Sequence, residues 1–534
     1  MRELIKTLIG DTVRKIVPDF KDGTFVEIPG NKGHGDYTAN TAFALTKILE
    51  KSSQEIAEYL VNELKKQKIE DFSKIETKNG FINFFLSPEC LQRQIKEILK
   101  QKNKYGWVDT KKSPPSLKLR RAVQVEFISA NPTGPLTIGN GRGGFYGDAL
   151  ANILESQGYK VTREYYINDR GEQILTLGRS IKIVQGFKAD IENIYKGEYI
   201  NELAKQIDKK LNAEEAGQKA VELVLKTYIR PVIKRLGIKF DNWFSEKTLY
   251  KGGYEKVMED LMRSDLVYEK DGATWMKTSQ LGDSEDRVLI KKDGSETYFL
   301  SDILYHFDKL KIRKFDKVID IWGADHHGYA PRLKAAVATL GVPEDNLKII
   351  ITQLVRLVKN GKEVKVSKRA GTFVTLEELI SEVGLDAARF FFLMYSPNTH
   401  MDFDMEFAKQ RSEKNPVYYI QYAHARLSSI LKKAGKISKT PDFELLKEKG
   451  ELGLIRKLIE FPELLDEVSR NYEVHRLAHY SMELAREFHN FYEKYRVITE
   501  DKNLTSARLG LVTATKIILA NVLNLMGIKA PDKM

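Results

Sequence analysis

Apolar positions recur at helical spacing through residues 2–17, then at Ala42, Leu45, Ile48 and Leu49, then at Ile56, Leu60 and Leu64 within 53–67. Each pattern predicts a helix with one apolar face. The run NGFINFFLS (79–87) predicts a strand instead. Residues 1–110 therefore read as an α+β module. The pattern lapses over DTKKSPPSLKLRR (109–121), where Pro114–Pro115 and the basic residues predict a solvated linker over about 111–121.

From 122 to 398 strand and helix patterns alternate. Val125, Phe127 and Ile128 around Gln124 and Glu126 open a strand, and a loop with Pro132, Gly134 and Pro135 breaks it. A glycine-dense segment (Gly139, Gly141, Gly143, Gly144, Gly147) follows, with Phe145, Leu150, Ile153 and Leu154 at helical spacing. KVTREYYIND (160–169) predicts a second strand. Residues 170–235 are helical and charge-rich, with no strand pattern until FDNWFSE (240–246), so 170–285 reads as an insertion between two halves of a sheet. The alternation resumes with a helix at 297–309, a strand at 318–325, a helix at 329–341 and a strand at 347–358. This predicts an α/β unit with a Rossmann-like, doubly wound parallel sheet. Ligands then belong beyond the carboxyl ends of the strands, at NPTGP, at GADHHG and after Val358. Residues 399–534 read as almost entirely helical. Asn415 and Pro416 suit an N-cap and first helical position, and Leu477, Leu484, Phe488 and Phe491 recur at helical spacing. Helices are expected at 416–433, 444–471, 474–497 and 504–526, forming an α-helical bundle.

Composition narrows the class. A chain of 534 residues, 42% hydrophobic and 30% charged, supports two to four globular domains. The formal net charge of +12 tilts toward a polyanionic partner, although a solvated basic surface has the same composition. One cysteine, Cys90, excludes an internal disulfide and a multi-cysteine zinc site, and suits a reducing compartment. The opening MRELIKTLIGDTVRKI carries Glu3 and Asp11, so it reads as an amphipathic helix and not a secretory signal. No uninterrupted apolar run reaches about 18 residues, so no membrane span is expected. There is no long-period repeat and no low-complexity tract.

Candidate chemistry lies at the loops. A strand, a glycine-rich turn and a helix N-terminus can cradle a phosphate through free N–H groups and the helix dipole. The same glycines also suit a tight strand–helix packing turn. In KNGKEVKVSKRAGT (359–372), Lys365, Ser367, Lys368 and Arg369 could clamp phosphate oxygens, or simply form a solvated face. His34, Asp36 and Tyr37 could touch a ligand or fix their loop. Tyr298 and Asp302 lie four apart on a predicted helix and share a face. A guanidinium wants such a carboxylate, and a solvated Asp beside a core Tyr has the same spacing.

The two loops together change the picture. T-I-G-N (Thr137 to Asn140) in the first half and K-V-S-K-R (Lys365 to Arg369) in the second resemble the two signatures of class I aminoacyl-tRNA synthetases. SANPTGPLTIGNGRG, YYIND, FDNWFSE, WGADHHGY, VKVSKRAGTFVTLEEL, DAARFFFL, NPVYYIQYAHARL and MGIKAPDKM resemble the arginyl-tRNA synthetase family, as do HGDYTAN and GFINFFL. The likeness runs from about residue 30 to the last residue. It implies an arginine–tRNA ligase: L-arginine and ATP give arginyl-adenylate and pyrophosphate, and arginine then passes to the 3′-terminal adenosine of tRNA(Arg). It implies ATP with Mg²⁺ held mostly by phosphate oxygens, with no metal held by protein ligands. It also implies activation with tRNA bound, a cytoplasmic monomer, and no membrane partner.

Carried onto this sequence, the resemblance assigns catalysis to Thr137, Gly139, Asn140, Lys365, Ser367 and Lys368. ATP binding would add Pro135, Gly323, Asp325 and Val366. Arginine would meet Glu126, Ser129, Asn131, Tyr298, Asp302, His326 and Glu246, with Glu126 as an acceptor for the α-ammonium. Glu126 can equally be a paired charge in the sheet, and Glu246 a cap. Tyr419, Tyr422, Arg426 and Met534 would meet anticodon bases, and the 30–40 loop the tRNA elbow. Three departures stand out. Thr137 and Asn140 replace the usual histidines; they donate hydrogen bonds but carry no charge, and one weakened contact costs about 1–2 kcal/mol, roughly 5–30-fold in rate. His326 stands where relatives often carry Gln, and Val366 where Met is usual. Competing readings are a tRNA-binding paralogue that has lost activation, and a nucleotidylyltransferase of the same superfold. The helical last third and the K-V-S-K loop argue against the second.

Overall fold

In the computed structural model, which describes residues 1–21, 23–109, 121–188, 194–251, 254–359, 361–363, 374–435 and 441–534, the first apolar stripe forms the helix Arg2–Arg14. It buries Ile5, Ile9 and Val13. Helices Thr41–Leu49 and Ser53–Lys66 follow, the second opened by a reciprocal Ser52–Glu55 capping box. A four-stranded antiparallel sheet completes the module, ordered Val26–Glu27, Tyr37–Ala39, Phe81–Leu86, Phe72–Lys78. The strand Phe72–Lys78 has no apolar alternation, because only Ile75 along it is fully buried.

This module docks on the C-terminal helices through polar contacts. The Tyr37 hydroxyl donates to Glu463 at 2.9 Å, and Arg456 Nε donates to Asp36 at 2.8 Å. Gln92 donates to the Leu446 carbonyl at 3.1 Å. Asp36 and Tyr37 thus fix their loop against the bundle.

The central sheet holds five parallel strands: β1 (Ala122–Glu126), β2 (Lys160–Ile167), β3 (Asn242–Ser245), β4 (Lys317–Gly323) and β5 (Leu347–Thr352), ordered β5-β4-β1-β2-β3. Strand order reverses between β1 and β4, which is the switch point of a doubly wound sheet. β3 corrects the expectation of a single insertion over 170–285. The helices Glu172–Val184, Glu198–Gln206, Ala213–Val224 and Arg230–Arg235 form the crossover from β2 to β3. The chain leaves the sheet only afterwards, in the antiparallel strands Val267–Lys270, Ala273–Met276 and Arg287–Ile290. A half-buried edge strand of four residues is too short to give a clear period.

The stretch 347–358 also divides. β5 ends at Thr352, and Val355–Lys359 joins a second sheet with Lys362–Glu363 and Met401–Asp404. Buried Arg142 holds the break, donating to the carbonyls of Gln353 at 2.8 Å, Ser396 at 2.9 Å and Thr399 at 2.5 Å. Met401–Asp404 is thus a strand inside the region read as helical. Beyond it stand Pro416–Ala434, Lys449–Ile459, Phe461–Asn471, His475–Lys494 and Lys502–Leu525. The expected helix 444–471 is interrupted because Pro462, in the first turn of Phe461–Asn471, has no N–H to continue the ladder. Lys502–Leu525 is long and apolar enough to cross a membrane by length and composition, but 72% of its apolar window is buried in the bundle.

Candidate active site

The site starts where β1 ends. Ile128 and Ser129 have φ of 67° and 34°, so the strand stops at Glu126, two residues short of its expected reach, and the chain turns sharply. The helix Ile138–Ser156 then runs back along the sheet. Its glycines divide into two kinds. A Cβ at Gly147 would stand 2.3 Å from Phe127, and one at Gly141 2.7 Å from Leu376, so these permit close packing. Gly139 is exposed, and the nearest atom to its Cβ position is Thr137 Oγ1 at 3.9 Å. It leaves the helix N-terminus open to a ligand.

Thr137 caps this helix, and its N–H and hydroxyl both donate to Asn140 Oδ1 at 2.9 Å. The two residues that replace histidines therefore bond to each other. Thr137 also bridges Thr375, and Leu376 N–H donates to the Leu136 carbonyl at 2.9 Å. Lys365, Val366, Ser367 and Lys368 lie outside the described residues. Pro135 lines a cleft of about 600 Å³ with Leu136, Tyr228, Arg235, Thr375 and Glu378.

A pocket of carboxylates forms beyond β2 and β3. Glu246, directly after β3, is 4% exposed. It takes hydrogen bonds from Ser301 and Tyr166, and from the Asn168 amide at 2.9 Å. Asp302 is on the helix Tyr298–Phe307 and accepts from the Tyr329 hydroxyl at 2.5 Å. Burial pushes both carboxyls above their ordinary range; Asp302 adds to the shift at Glu246, while Tyr329, His306 and His326 work against the shift at Asp302. A cation placed between them would favour the ionised form of both. Tyr298, half exposed, lies on the same helix face one turn earlier. His326 packs on Trp322 and Tyr329, with ring centroids 5.3 and 6.3 Å away, and half of its side chain is exposed. Arg170 lies over the Tyr250 ring at 3.6 Å, and Tyr250 reaches Ser301 at 2.7 Å.

Glu126 takes the alternative left open for it. Buried Lys309 donates to it at 2.5 Å and to Asp320 at 2.8 Å. Glu126 and Asp320 are register partners on β1 and β4. Burial works against the Lys309 ammonium, but Asp320 and Glu126 outweigh it and raise its pKa. Ser129 hydrogen-bonds Glu126 and accepts from Tyr166 N–H at 3.1 Å. Asn131 and Asp325 are exposed, and Gly323 ends β4. Lys309, His306 and Asp320 escaped the sequence reading. Their signal was polar residues on the otherwise apolar stretch YFLSDILYHFDK and in the strand VIDIW.

On the bundle, Tyr419 and Tyr422 lie against His489, with ring centroids 5.0 and 6.2 Å away. Arg426 sits 5.6 Å from the Tyr422 ring and 5.2 Å from that of Tyr492. Met534 stands apart from this group. It lines a neighbouring cleft of about 460 Å³ with Tyr418, Gln421 and Asn415.

Three family models match along the chain. The arginyl-tRNA synthetase N-terminal domain matches residues 3–86, the class I (R) tRNA synthetase catalytic domain 94–393, and the DALR anticodon binding domain 420–534. Arginine–tRNA ligase of Staphylococcus aureus is 42% identical, over 97% of this chain and 95% of its own. That of Aquifex aeolicus is 41% identical over the full length of both. The Thermus thermophilus arginyl-tRNA synthetase structure, at 24% identity, shares the fold with a TM-score of 0.78 and full coverage of both chains. From its first module to its bundle, the chain belongs to the arginyl-tRNA synthetase family of class I.

Proposed function

We propose that Asp302 and Glu246 hold the guanidinium of arginine, with Tyr298 and His326 at the pocket rim, while ATP lies at the N-terminus of the helix Ile138–Ser156. The reaction is arginine–tRNA ligation. An arginine carboxylate oxygen attacks the α-phosphorus of ATP, the α–β bridging bond breaks, and pyrophosphate leaves. The 3′-terminal ribose hydroxyl of the tRNA then attacks the carbonyl of the adenylate, and AMP leaves. Gly139 leaves room for phosphate at the helix N-terminus, and Thr137 and Asn140 shape its first turn. Lys365 and Lys368 neutralise charge developing on the phosphates. Ser367 acts with them in catalysis, and Pro135, Gly323, Asp325 and Val366 contact the nucleotide. Mg²⁺ arrives on the ATP phosphates. Ser129 and Asn131 orient the amino acid backbone.

The remaining proposals concern the ends of the chain. Residues 1–110 meet the tRNA elbow, 122–398 carry activation, and 399–534 read the anticodon through Tyr419, Tyr422, Arg426 and Met534. The family's role suits a monomer in the cytoplasm. The observation that carries the site reading is buried Glu246 beside half-buried Asp302, whose charge acts on Glu246 beyond the carboxyl ends of the strands. The test is amino-acid-dependent ATP–pyrophosphate exchange with tRNA(Arg) present, comparing arginine with citrulline. Citrulline has nearly the same shape and no charge, so exchange with arginine alone is expected. Equal exchange with both rejects the carboxylate pocket.

A further inference from the structure

Beneath the pocket lies a buried charge cluster that the reaction does not use directly. Glu126 ends β1, Asp320 lies opposite it in the middle of β4, and Lys309 joins them at 2.5 and 2.8 Å. His306 is 1% exposed, on the helix Tyr298–Phe307, three residues before Lys309 in the π-helical turn Asp308–Ile312 that continues it. Its Nε2 lies 2.6 Å from Asp320 Oδ2, and its Nδ1 lies 2.7 Å from the main-chain carbonyl oxygen of Asp302. Both neighbours are oxygen acceptors. A carbonyl cannot donate, and an ionised carboxylate cannot donate.

We propose that His306 is a positioning residue, whose ring bridges the Asp302 carbonyl and the Asp320 carboxylate and so fixes the turn of helix from which Asp302 meets arginine. This rests on the reading of Asp302 as a guanidinium partner. The ring stands beside a connected set of charged groups: Lys309 bridges Glu126 and Asp320, and Arg313 pairs with both Glu164 and Asp308. The other groups near the ring are Tyr305 on its own helix and Trp322 on β4, at 5.7 and 6.4 Å between centroids.

The geometry explains why a histidine serves here. Asp302 lies four residues before His306, so its carbonyl is the helix partner of the His306 N–H, and the ring adds a second donor to the same oxygen. The ring's far nitrogen reaches the sheet. A single side chain thus ties the substrate-binding turn to the switch point of the fold.

The test uses the full-length enzyme with tRNA(Arg), and two half-clamps. His306→Gln retains a donor toward Asp320 and loses the one toward the Asp302 carbonyl; His306→Asn does the reverse. Each is expected to raise the arginine KM about tenfold, as a misplaced binding group does, while the ATP KM stays within twofold. Asp302→Ala is the control. If Asp302→Ala raises the arginine KM and both His306 variants leave it within twofold, the clamp is overturned. If Asp302→Ala leaves it unchanged, the pocket reading falls, and the clamp's effect on arginine falls with it. Nitrogen-15 NMR of histidine-labelled wild-type enzyme decides the bridge even where a variant fails to fold. A ring assigned through its contacts with Trp322 that is hydrogen-bonded at both nitrogens supports the bridge, and a ring nitrogen without a hydrogen-bond partner overturns it.

Discussion

Replacing Asp302 with Asn separates binding from stability, because the residue serves the first at the expense of the second. Asp302 is half-buried, and loss of solvent around its carboxyl holds it above the ordinary range. The folded-state pKa thus exceeds the unfolded value of about 4. For a group shifted this way, the contribution to stability is fully present below the unfolded value and is lost as pH rises through the folded one. Wherever Asp302 is ionised it therefore works against the fold. Asp302→Asn keeps the shape and an acceptor for Tyr329 and removes that charge, so its melting temperature is expected to equal or exceed the parent's. Arginine binding moves the opposite way. Breaking a buried charge pair costs about 3–5 kcal/mol, and the remaining Glu246 carboxylate puts this case at the lower end, about 3 kcal/mol, or roughly 100-fold in arginine KM. The parent's own arginine KM should rise as pH falls below neutral, since the raised carboxyls lose charge earlier than ordinary ones, while the ATP KM stays level. Steady-state exchange kinetics and thermal unfolding without substrate measure both sides. A lower melting temperature with an arginine KM changed less than threefold would refute the reasoning.

Two further outcomes follow from packing and docking. Gly147→Ala places a Cβ 2.3 Å from Phe127 and should destabilise by about 1–3 kcal/mol, whereas Gly139→Ala meets nothing closer than 3.9 Å and should fold normally but lose pyrophosphate exchange; urea unfolding and exchange rates distinguish the two. Tyr37→Phe removes the hydroxyl that donates to Glu463 at 2.9 Å and should cost about 1–2 kcal/mol, read as earlier loss of the N-terminal module in limited proteolysis under mild denaturant.

Much of this architecture is written locally. The alternation of strand and helix gave four of the five central strands, and the i, i+4 spacing placed Tyr298 and Asp302 on one face because a helix repeats every 3.6 residues. What escaped had weak local signals or distant partners. β3 shows its strand pattern at FDNWFSE, but nothing local says that this half-buried edge strand joins the central sheet, and Phe72–Lys78 buries only Ile75 and offers no period to count. Glu126 posed a different problem. Its reading as the α-ammonium acceptor was reasonable from its place at a strand end, but its partner Lys309 is 183 residues away, and no spacing rule reaches that far. The pairing shifts the site's electrostatics. With Glu126 and Asp320 engaged by Lys309, the proposed pocket would meet the positive charge of arginine chiefly through Asp302 and Glu246. On that reading recognition would concentrate on the guanidinium, the feature that separates arginine from other amino acids.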